Sequence, residues 1–479
     1  LSGSLLDRKI ESELAEGKVG WLKSLRRSRA FRTFVRDKAA VVALCVIAVY
    51  ISIAVLIVGS QLANKISGGR LSDTFIVKEL SLERSTERVG PDSLPGFFEQ
   101  AGPAKQIEHA DFYMSDIERA LSRQDPQVAL DAISFAERDV AELPVEELRE
   151  LMTQARDQLE LVDQLYLDLE LFREDLAYAR DDLELAETEE EAEELRAEIE
   201  ALAASIPEAK VELDAAIEQL QADVRALLPD PTGFDGIMYD LRLSLGTDTA
   251  GRSILWRAIY SIRVATQVGL VSAIIAVVVG AFLGATAGFF GGWVDHSIVW
   301  LYSTLSSVPY IVLLTVVAFV FGSMELTVPF TDGIKVHQTL IPMYVAFGVT
   351  FWIAPCRQIR GEALKIRSLD YVQSATALGA GRFYILRKHI IPNVLFLVFI
   401  NFSLIFIGAI KSEVILSFLG IGVQGQPSWG VMISESRSEV LNQFFWQIGT
   451  ATAFMFGLVL AFNVFSDALQ DAFDPKHAR

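Results

Sequence analysis

The stretch AAVVALCVIAVYISIAVLIVGS, residues 39–60, carries no charge over 22 positions. A helix rises about 1.5 Å per residue, so about 20 apolar residues cross a hydrocarbon core. In lipid every backbone N–H must be paired internally, so such a run is read as a membrane helix. Further apolar runs lie at 264–290, 297–321, 340–354, 394–418 and 444–465, which predicts six spans. Pro309 interrupts the third and Pro355 ends the fourth. Such breaks are tolerated where neighbouring helices re-satisfy the freed carbonyls. No cleavable signal is expected, since no small-residue cleavage site follows the first run.

A net charge of −19 is unusual for a chain built from membrane spans. The charge is concentrated. Residues 61–240 hold 44 acidic and 16 basic side chains, a balance of −28, which leaves +9 on the rest. One part is therefore a basic, apolar body and the other an acidic, water-facing insertion. Cations cluster in the tail, residues 1–38, and again between the fourth and fifth runs at Arg357, Arg360, Lys365, Arg367, Arg382, Arg387 and Lys388. The positive-inside rule puts both clusters in the cytoplasm. With six spans both termini are then cytoplasmic and the insertion lies on the opposite side. Arg252, Arg257 and Arg263 precede the second run on that outer side, a local exception that long loops permit.

The insertion has its own periodicity. Leu148, Leu151, Ala155, Val162, Leu165, Leu169, Phe172, Leu176, Ala179 and Leu183 recur at heptad spacing, with Gln158 as a polar member. Leu195, Ile199, Leu202, Ile206, Leu213, Ile217, Leu220, Val224 and Leu227 form a second set. Thr188 and Glu191 between them have capping-box spacing. This predicts an antiparallel coiled-coil hairpin over 145–228, with Pro207 kinking or restarting its second helix. A smaller helical region is expected near 104–143. The acidic charge either solvates the outer faces of long helices or recruits a basic partner.

Catalytic constellations are absent from the sequence. It has no G-x-x-x-x-G-K-[ST], no H-E-x-x-H, no G-x-S-x-G and no zinc-spaced cysteines. Its histidines, His109, His296, His337, His389 and His477, are scattered, and Cys45 and Cys356 read as free thiols at apolar sites. An enzyme is not expected.

Several segments are more specific: LGTDTAGRSILWRAIYSIRVATQVGL (245–270), GGWVD (291–295), DYVQSATALGAGRFYILRKHIIPN (370–393), EVILSFLGIGVQ (413–424) and PSWGVMI (427–433). In this order they resemble the permease subunits of bacterial dipeptide, oligopeptide and nickel ABC importers, and within these the C-type subunit. The match is close from residue 245 onward and loose over the first run. The resemblance implies an all-α integral membrane protein of the ABC type I importer permease fold. Its core would be 241–479, with a large extracytoplasmic insertion, 61–240, between the first two of six transmembrane helices.

It also implies partners. These are a homologous second permease, two ATP-binding cassette ATPases that hold ATP and magnesium, and a periplasmic solute-binding protein. The chain itself needs a lipid bilayer, no cofactor and no nucleic acid. Segment 361–391 holds the family's cytoplasmic signature. Gly379 fills the glycine position, and His389, Ile391 and Pro392 fill the closing group. Gln373, Ser374 and Ala375 stand where Glu-Ala-Ala is usual, so the first two depart from the pattern. The resemblance makes residues 371–378 a coupling helix that docks on an ATPase, with Tyr371, Gln373, Ser374, Ala375, Leu378, Gly379, Ala380 and Pro392 as the coupling residues.

Physical chemistry supports such a joint. Val372, Ala375 and Leu378 would share one apolar edge, Gly379 would end the helix, and Pro392 would start the next span. Within the fifth run, Lys411, Glu413 and Asn401 are candidates for the translocation path or its gate. Lys411 and Glu413 stand near its outer end, where charged tips can snorkel. Asn401 and Asn463 suit helix–helix bonding. Two functions follow as expectations: a peptide importer, or a transmembrane regulator that moves its hairpin against an envelope partner.

Overall fold

Asp37 starts the first long helix, its carboxylate accepting the Ala39 N–H at 2.9 Å. The computed structural model describes residues 37–67, 70–71, 74–96, 101–130, 133–135, 138–186, 188–323, 340–423 and 425–473. Most of the expected basic tail, 1–38, lies outside them. In chain order the main elements are α1 (Lys38–Ile66), α2 (Pro103–Leu121), the antiparallel pair β1 (Ser134–Phe135) and β2 (Arg138–Asp139), α3 (Val145–Leu185), α4 (Glu189–Leu227) and α5 (Gly233–Leu243). There follow α6 (Ile254–Phe290), α7 (Gly292–Ser306), α8 (Tyr310–Gly322), α9 (Ile341–Phe351), α10 (Ile353–Arg367), α11 (Asp370–Ala377), α12 (Arg382–Phe418), α13 (Trp429–Glu435) and α14 (Trp446–Phe473). The described residues form two compact units. One holds those up to Arg84, those from Arg257 to Arg437 and those from Ile448 on; the other is Ser85–Trp256 with Ser438–Gln447.

The first unit contains the apolar helices. Among the described residues α1, α6, α12 and α14 are each long and apolar enough to cross a membrane. Helices α7 and α8 pass the same test only as a pair, bent by 88° at the break before Tyr310. Pro309 is the N-cap of α8, so the expected interruption is a sharp corner. The run 340–354 divides into α9, with 11 residues, and the start of α10, neither long and apolar enough by itself. Pro355 falls in the first turn of α10, where a missing N–H is harmless. The described residues thus hold four spans, or five with the bent pair, against the six expected.

Two spans begin earlier than hydropathy indicated. Helix α6 starts at Ile254, so Arg257 and Arg263 lie inside it. Arg257 is buried and donates to Glu435 at 2.6 Å. Arg263 donates to the Tyr260 hydroxyl at 2.6 Å. Paired in this way, charges that mark a span's end by composition are carried within a helix. Helix α12 starts at Arg382, not at Pro392. A π turn over Leu386–Ile390 lets the Ile391 N–H reach the Leu386 carbonyl, and this irregular turn accommodates Pro392 within a continuing helix.

In the second unit the expected hairpin is present. Thr188 accepts the Glu191 N–H at 3.3 Å and caps α4. Leu148, Ala155, Val162 and Leu169 of α3 are buried with Leu213, Ile217, Leu220 and Val224 of α4. Met152 takes a fully buried place, while the predicted Leu151 packs half-buried beside it. Gln158, the polar member of the stripe, donates to the Ala216 carbonyl at 3.0 Å, so burial leaves its amide N–H satisfied. Pro207 lies inside α4 without restarting it. Residues 41 and 39 long in α3 and α4 give helices about 60 Å in length. The smaller helical region resolves into α2, a short turn of helix and the β1–β2 pair, which the sequence reading did not include. Leu220→Ala is expected to lower the hairpin's stability by about 2–5 kcal/mol. A lowered midpoint in far-UV circular dichroism melts of the full chain would show it.

Candidate coupling segment and membrane cavity

Helix α11 buries one side chain in the apolar unit. Val372 is 2% exposed, packed in a cluster with Ala285, Phe289, Ile366, Ile385 and Leu386. The helix closes in two hydrogen bonds: Gly379 N–H to the Thr376 carbonyl and Ala380 N–H to the Ala375 carbonyl, both 3.0 Å. With Gly379 at φ +82° this is a Schellman ending, which uses the left-handed conformation glycine adopts without strain.

The predicted apolar edge is not one surface. Val372 points into the protein, Ala375 is half-buried, and Leu378 is 88% exposed. Anchoring therefore uses Val372, and the outward face is made of Tyr371, Gln373, Ser374 and Leu378, with Phe383 exposed just beyond. Gln373 donates to the Ser368 carbonyl at 3.1 Å, a bond the family's usual glutamate would not make. Asn393 donates to the Tyr371 hydroxyl at 3.2 Å, and the His389 ring lies 5.8 Å from that of Tyr371. The cations Arg382, Arg387 and Lys388 fall in the first turns of α12, not in a loop before it.

A second feature lies at the α7–α8 corner. There a cavity of about 520 Å³ is lined by Val308, Pro309, Tyr310, Phe351 and Ile405, and by polar Thr350, Arg357, Gln358 and Asn401. Asn401 donates to Gln358 across the α10–α12 contact at 2.8 Å, so it bonds helices and lines the cavity at once. Arg357 donates to Ser306 at 2.6 Å and stands 4.9 Å over the Tyr302 ring.

Glu413 is not at this cavity and does not snorkel. It is fully buried, and its carboxylate accepts from the Ser417 hydroxyl at 2.7 Å. Ser417 sits in the tight packing of α12 on α13, where a Cβ at Gly430 would meet its own at 2.6 Å. Ser428 caps α13 through the Val431 N–H at 3.1 Å, and Trp429 donates to the Ala258 carbonyl at 3.0 Å. The EVILSFLGIGVQ and PSWGVMI segments thus make one packed corner with Glu413 inside it. Lys411 is exposed, two residues away. The structure does not bring Lys411, Glu413 and Asn401 into one site.

In the second unit, the LGTDTAGRS segment is a clamp. Thr247 donates to the Pro91 carbonyl at 2.5 Å and accepts the Leu94 N–H at 2.8 Å, while Asp248 accepts from Arg252 Nε at 2.8 Å. The Thr249 N–H donates to Glu439 at 3.0 Å. Two other features escaped the sequence reading. Arg360 pairs with Asp295 of GGWVD, at 2.7 Å in one of two bonds. Gly280, Gly284 and Gly288 of α6 lie against the backbone of α10. Their i, i+4, i+8 spacing is the signal that could have found them.

Known proteins resemble the C-terminal half of this chain. Residues 249–479 match the family described as binding-protein-dependent transport system inner membrane component. The dipeptide transport system permease protein DppC of Bacillus subtilis is 32% identical over 235 residues, 49% of this chain and 69% of that protein. The oligopeptide transport system permease protein OppC of Haemophilus influenzae is 33% identical over 48% of this chain and 70% of its own length. The glutathione transport system permease protein GsiD of Pectobacterium atrosepticum is 33% identical over 48% and 72%. The chain, with its apolar helices and its signature segment between α10 and α12, belongs to the family of C-type permease subunits of dipeptide and oligopeptide ABC transporters.

Proposed function

We propose that this chain is the membrane-spanning subunit of an ATP-driven importer of short peptides. It pairs with a second permease, and separate ATPases holding ATP and magnesium dock on Asp370–Ala377. A solute-binding protein delivers cargo on the periplasmic side, and both termini are cytoplasmic. The observation that carries this reading is α11 itself. It is a short helix fixed from behind by Val372 and sealed by Gly379, and it offers exposed Tyr371 and Leu378 to a partner. These residues hold no P-loop, which supports a separate ATPase as the source of the force on that helix. The cavity beside Asn401 and Arg357 is the candidate for solute passage.

The test is to purify the native complex, identify its subunits by mass spectrometry and reconstitute it with a labelled short peptide. ATP-dependent accumulation of label is the expected result. An intact complex that binds a delivery protein yet moves no peptide would overturn the importer.

One observation favours a second reading, a regulator that moves its hairpin mechanically. Leu167, Leu171, Tyr178 and Leu185 are exposed along α3, a second apolar seam at i, i+4, i+11 and i+18 that α4 does not cover. Removing residues 145–228 separates the two. Peptide import that survives the deletion counts against the mechanical reading.

A further inference from the structure

The second unit contains a cavity of about 680 Å³ between α2 and α4, within the range of small-ligand sites. From α2 come Gln106, His109, Ala110 and Tyr113, spaced to lie on one helix face. From α4 come Asp214, Ile217, Glu218, Gln221, Val224 and Arg225, again on one face. Arg138 of β2 and Asp230 complete the polar lining.

Most of these polar groups are already engaged. Arg138 donates to the Leu228 carbonyl at 2.8 Å and pairs with Asp230 at 3.3 Å. Arg225 faces the same carboxylate at 3.7 Å. Gln221 donates to Gln106 at 2.7 Å. The cations and amides therefore have partners within the protein. Asp214, Glu218 and His109 Nε2 are without one among the described residues.

His109 is 8% exposed, and its Nε2 is buried without a hydrogen-bond partner. The Asp92 backbone lies beside the ring and favours a protonated nitrogen there, and a carbonyl can only accept. Burial, and secondarily the charge of Lys105, holds the imidazole below its ordinary pKa, so the neutral ring dominates at neutral pH. A neutral imidazole that donates from one nitrogen presents a bare acceptor at the other. The lining groups that have no partner among the described residues, His109 Nε2, Asp214 and Glu218, are then all acceptors, two of them anionic, beside the apolar side chains of Ala110, Ile217 and Val224.

We propose that this cavity binds an organic ammonium ion. Its N–H donates to His109 Nε2, the Asp214 and Glu218 carboxylates supply the counter-charge, and its carbon body lies on Ile217 and Val224. The site lies wholly in the unit that carries the hairpin and does not rest on the importer reading.

The test uses the full chain in phosphatidylcholine nanodiscs and calorimetric titration with three probes: n-butylammonium, tetramethylammonium and N-butylacetamide. The first is expected to bind saturably. The second lacks an N–H donor and the third lacks charge, so each is expected to bind about tenfold more weakly or worse. Glu218→Gln, at an exposed position, and His109→Phe are each expected to weaken n-butylammonium about fivefold or more. Should His109→Phe fail to fold, ¹⁵N-histidine spectra of the wild type replace it: the Nε2 resonance must move with n-butylammonium and stay with tetramethylammonium. No saturable binding, equal binding of tetramethylammonium or the amide, or indifference to Glu218→Gln would each overturn the proposal.

Discussion

Gly379→Val is expected to reduce ATP-dependent transport by about tenfold while leaving the protein inserted, and Gly379→Asn to retain most of the activity. The argument is conformational. A Cβ at this position would meet nothing within 4 Å, so crowding is not the obstacle. The backbone is: φ is +82°. A β-branched residue held in that region costs on the order of 1–3 kcal/mol, whereas asparagine tolerates it. The chain can escape the strain only by giving up the bonds that end α11, from Gly379 to Thr376 and from Ala380 to Ala375. Helix α11 would then lose its fixed exit into α12, and with it the alignment of Tyr371 and Leu378 toward a partner. About 1.4 kcal/mol is a tenfold change in the population of the aligned form. Transport and peptide-stimulated ATP hydrolysis in the reconstituted complex measure it, with membrane abundance as the control. A valine variant with full transport and full stimulation would place the joint elsewhere in the chain.

How much of this was legible in the sequence varied with the kind of force involved. Periodic burial reads well. The heptad stripe and the Thr188 cap follow from side-chain pattern alone and are present, while of the six expected spans the described residues hold four, or five with the bent pair. Helix ends inside the apolar unit read poorly, because hydropathy treats a charge as a stop. Arg257 is carried into α6 by Glu435, which lies 178 positions away in the chain, and no local window contains that pair. Pro392 reads as a start signal, yet a π turn carries the helix through it. In the coupling segment the short-range feature, the glycine ending, is visible in the sequence. Which side of α11 faces inward is not. Val372, Ala375 and Leu378 have the spacing of one edge, but the cluster that takes Val372 comes from α6, α10 and α12. By position in the sequence Glu413 stands near a span's outer end, where a charged tip can snorkel. It is fully buried because Ser417 and the α13 corner, later in the chain, close over it.

Gly284→Leu is expected to abolish a stable fold, and Gly284→Ala to lower it by a graded amount. Helix α6 approaches α10 through Gly280, Gly284 and Gly288. A Cβ at these positions would sit 2.7 Å from the Trp352 carbonyl oxygen, 2.6 Å from that of Cys356 and 2.6 Å from that of Arg360. Real Cβ atoms do not come so close to backbone, and a backbone oxygen within a helix cannot turn aside as a side chain can. The whole of α10 would have to move out, at a cost of about 1–3 kcal/mol for a methyl group and more for leucine. The displacement would propagate. Arg360 on the same helix holds Asp295, and α10 leads through Ser368 directly into α11. Close helix approach at small residues is thus what sets the position of the coupling segment. Gly361 of α10 is the control, since a Cβ there meets nothing within 4 Å. Gly361→Ala is expected to stabilise by about 0.5–1 kcal/mol through helix propensity. Thermal unfolding of the detergent-solubilised chain separates the cases: a marked fall for Gly284→Ala, little recoverable protein for Gly284→Leu, and a small rise for Gly361→Ala. A Gly284→Leu protein that melts with the wild type would mean that α6 and α10 are not packed backbone to backbone.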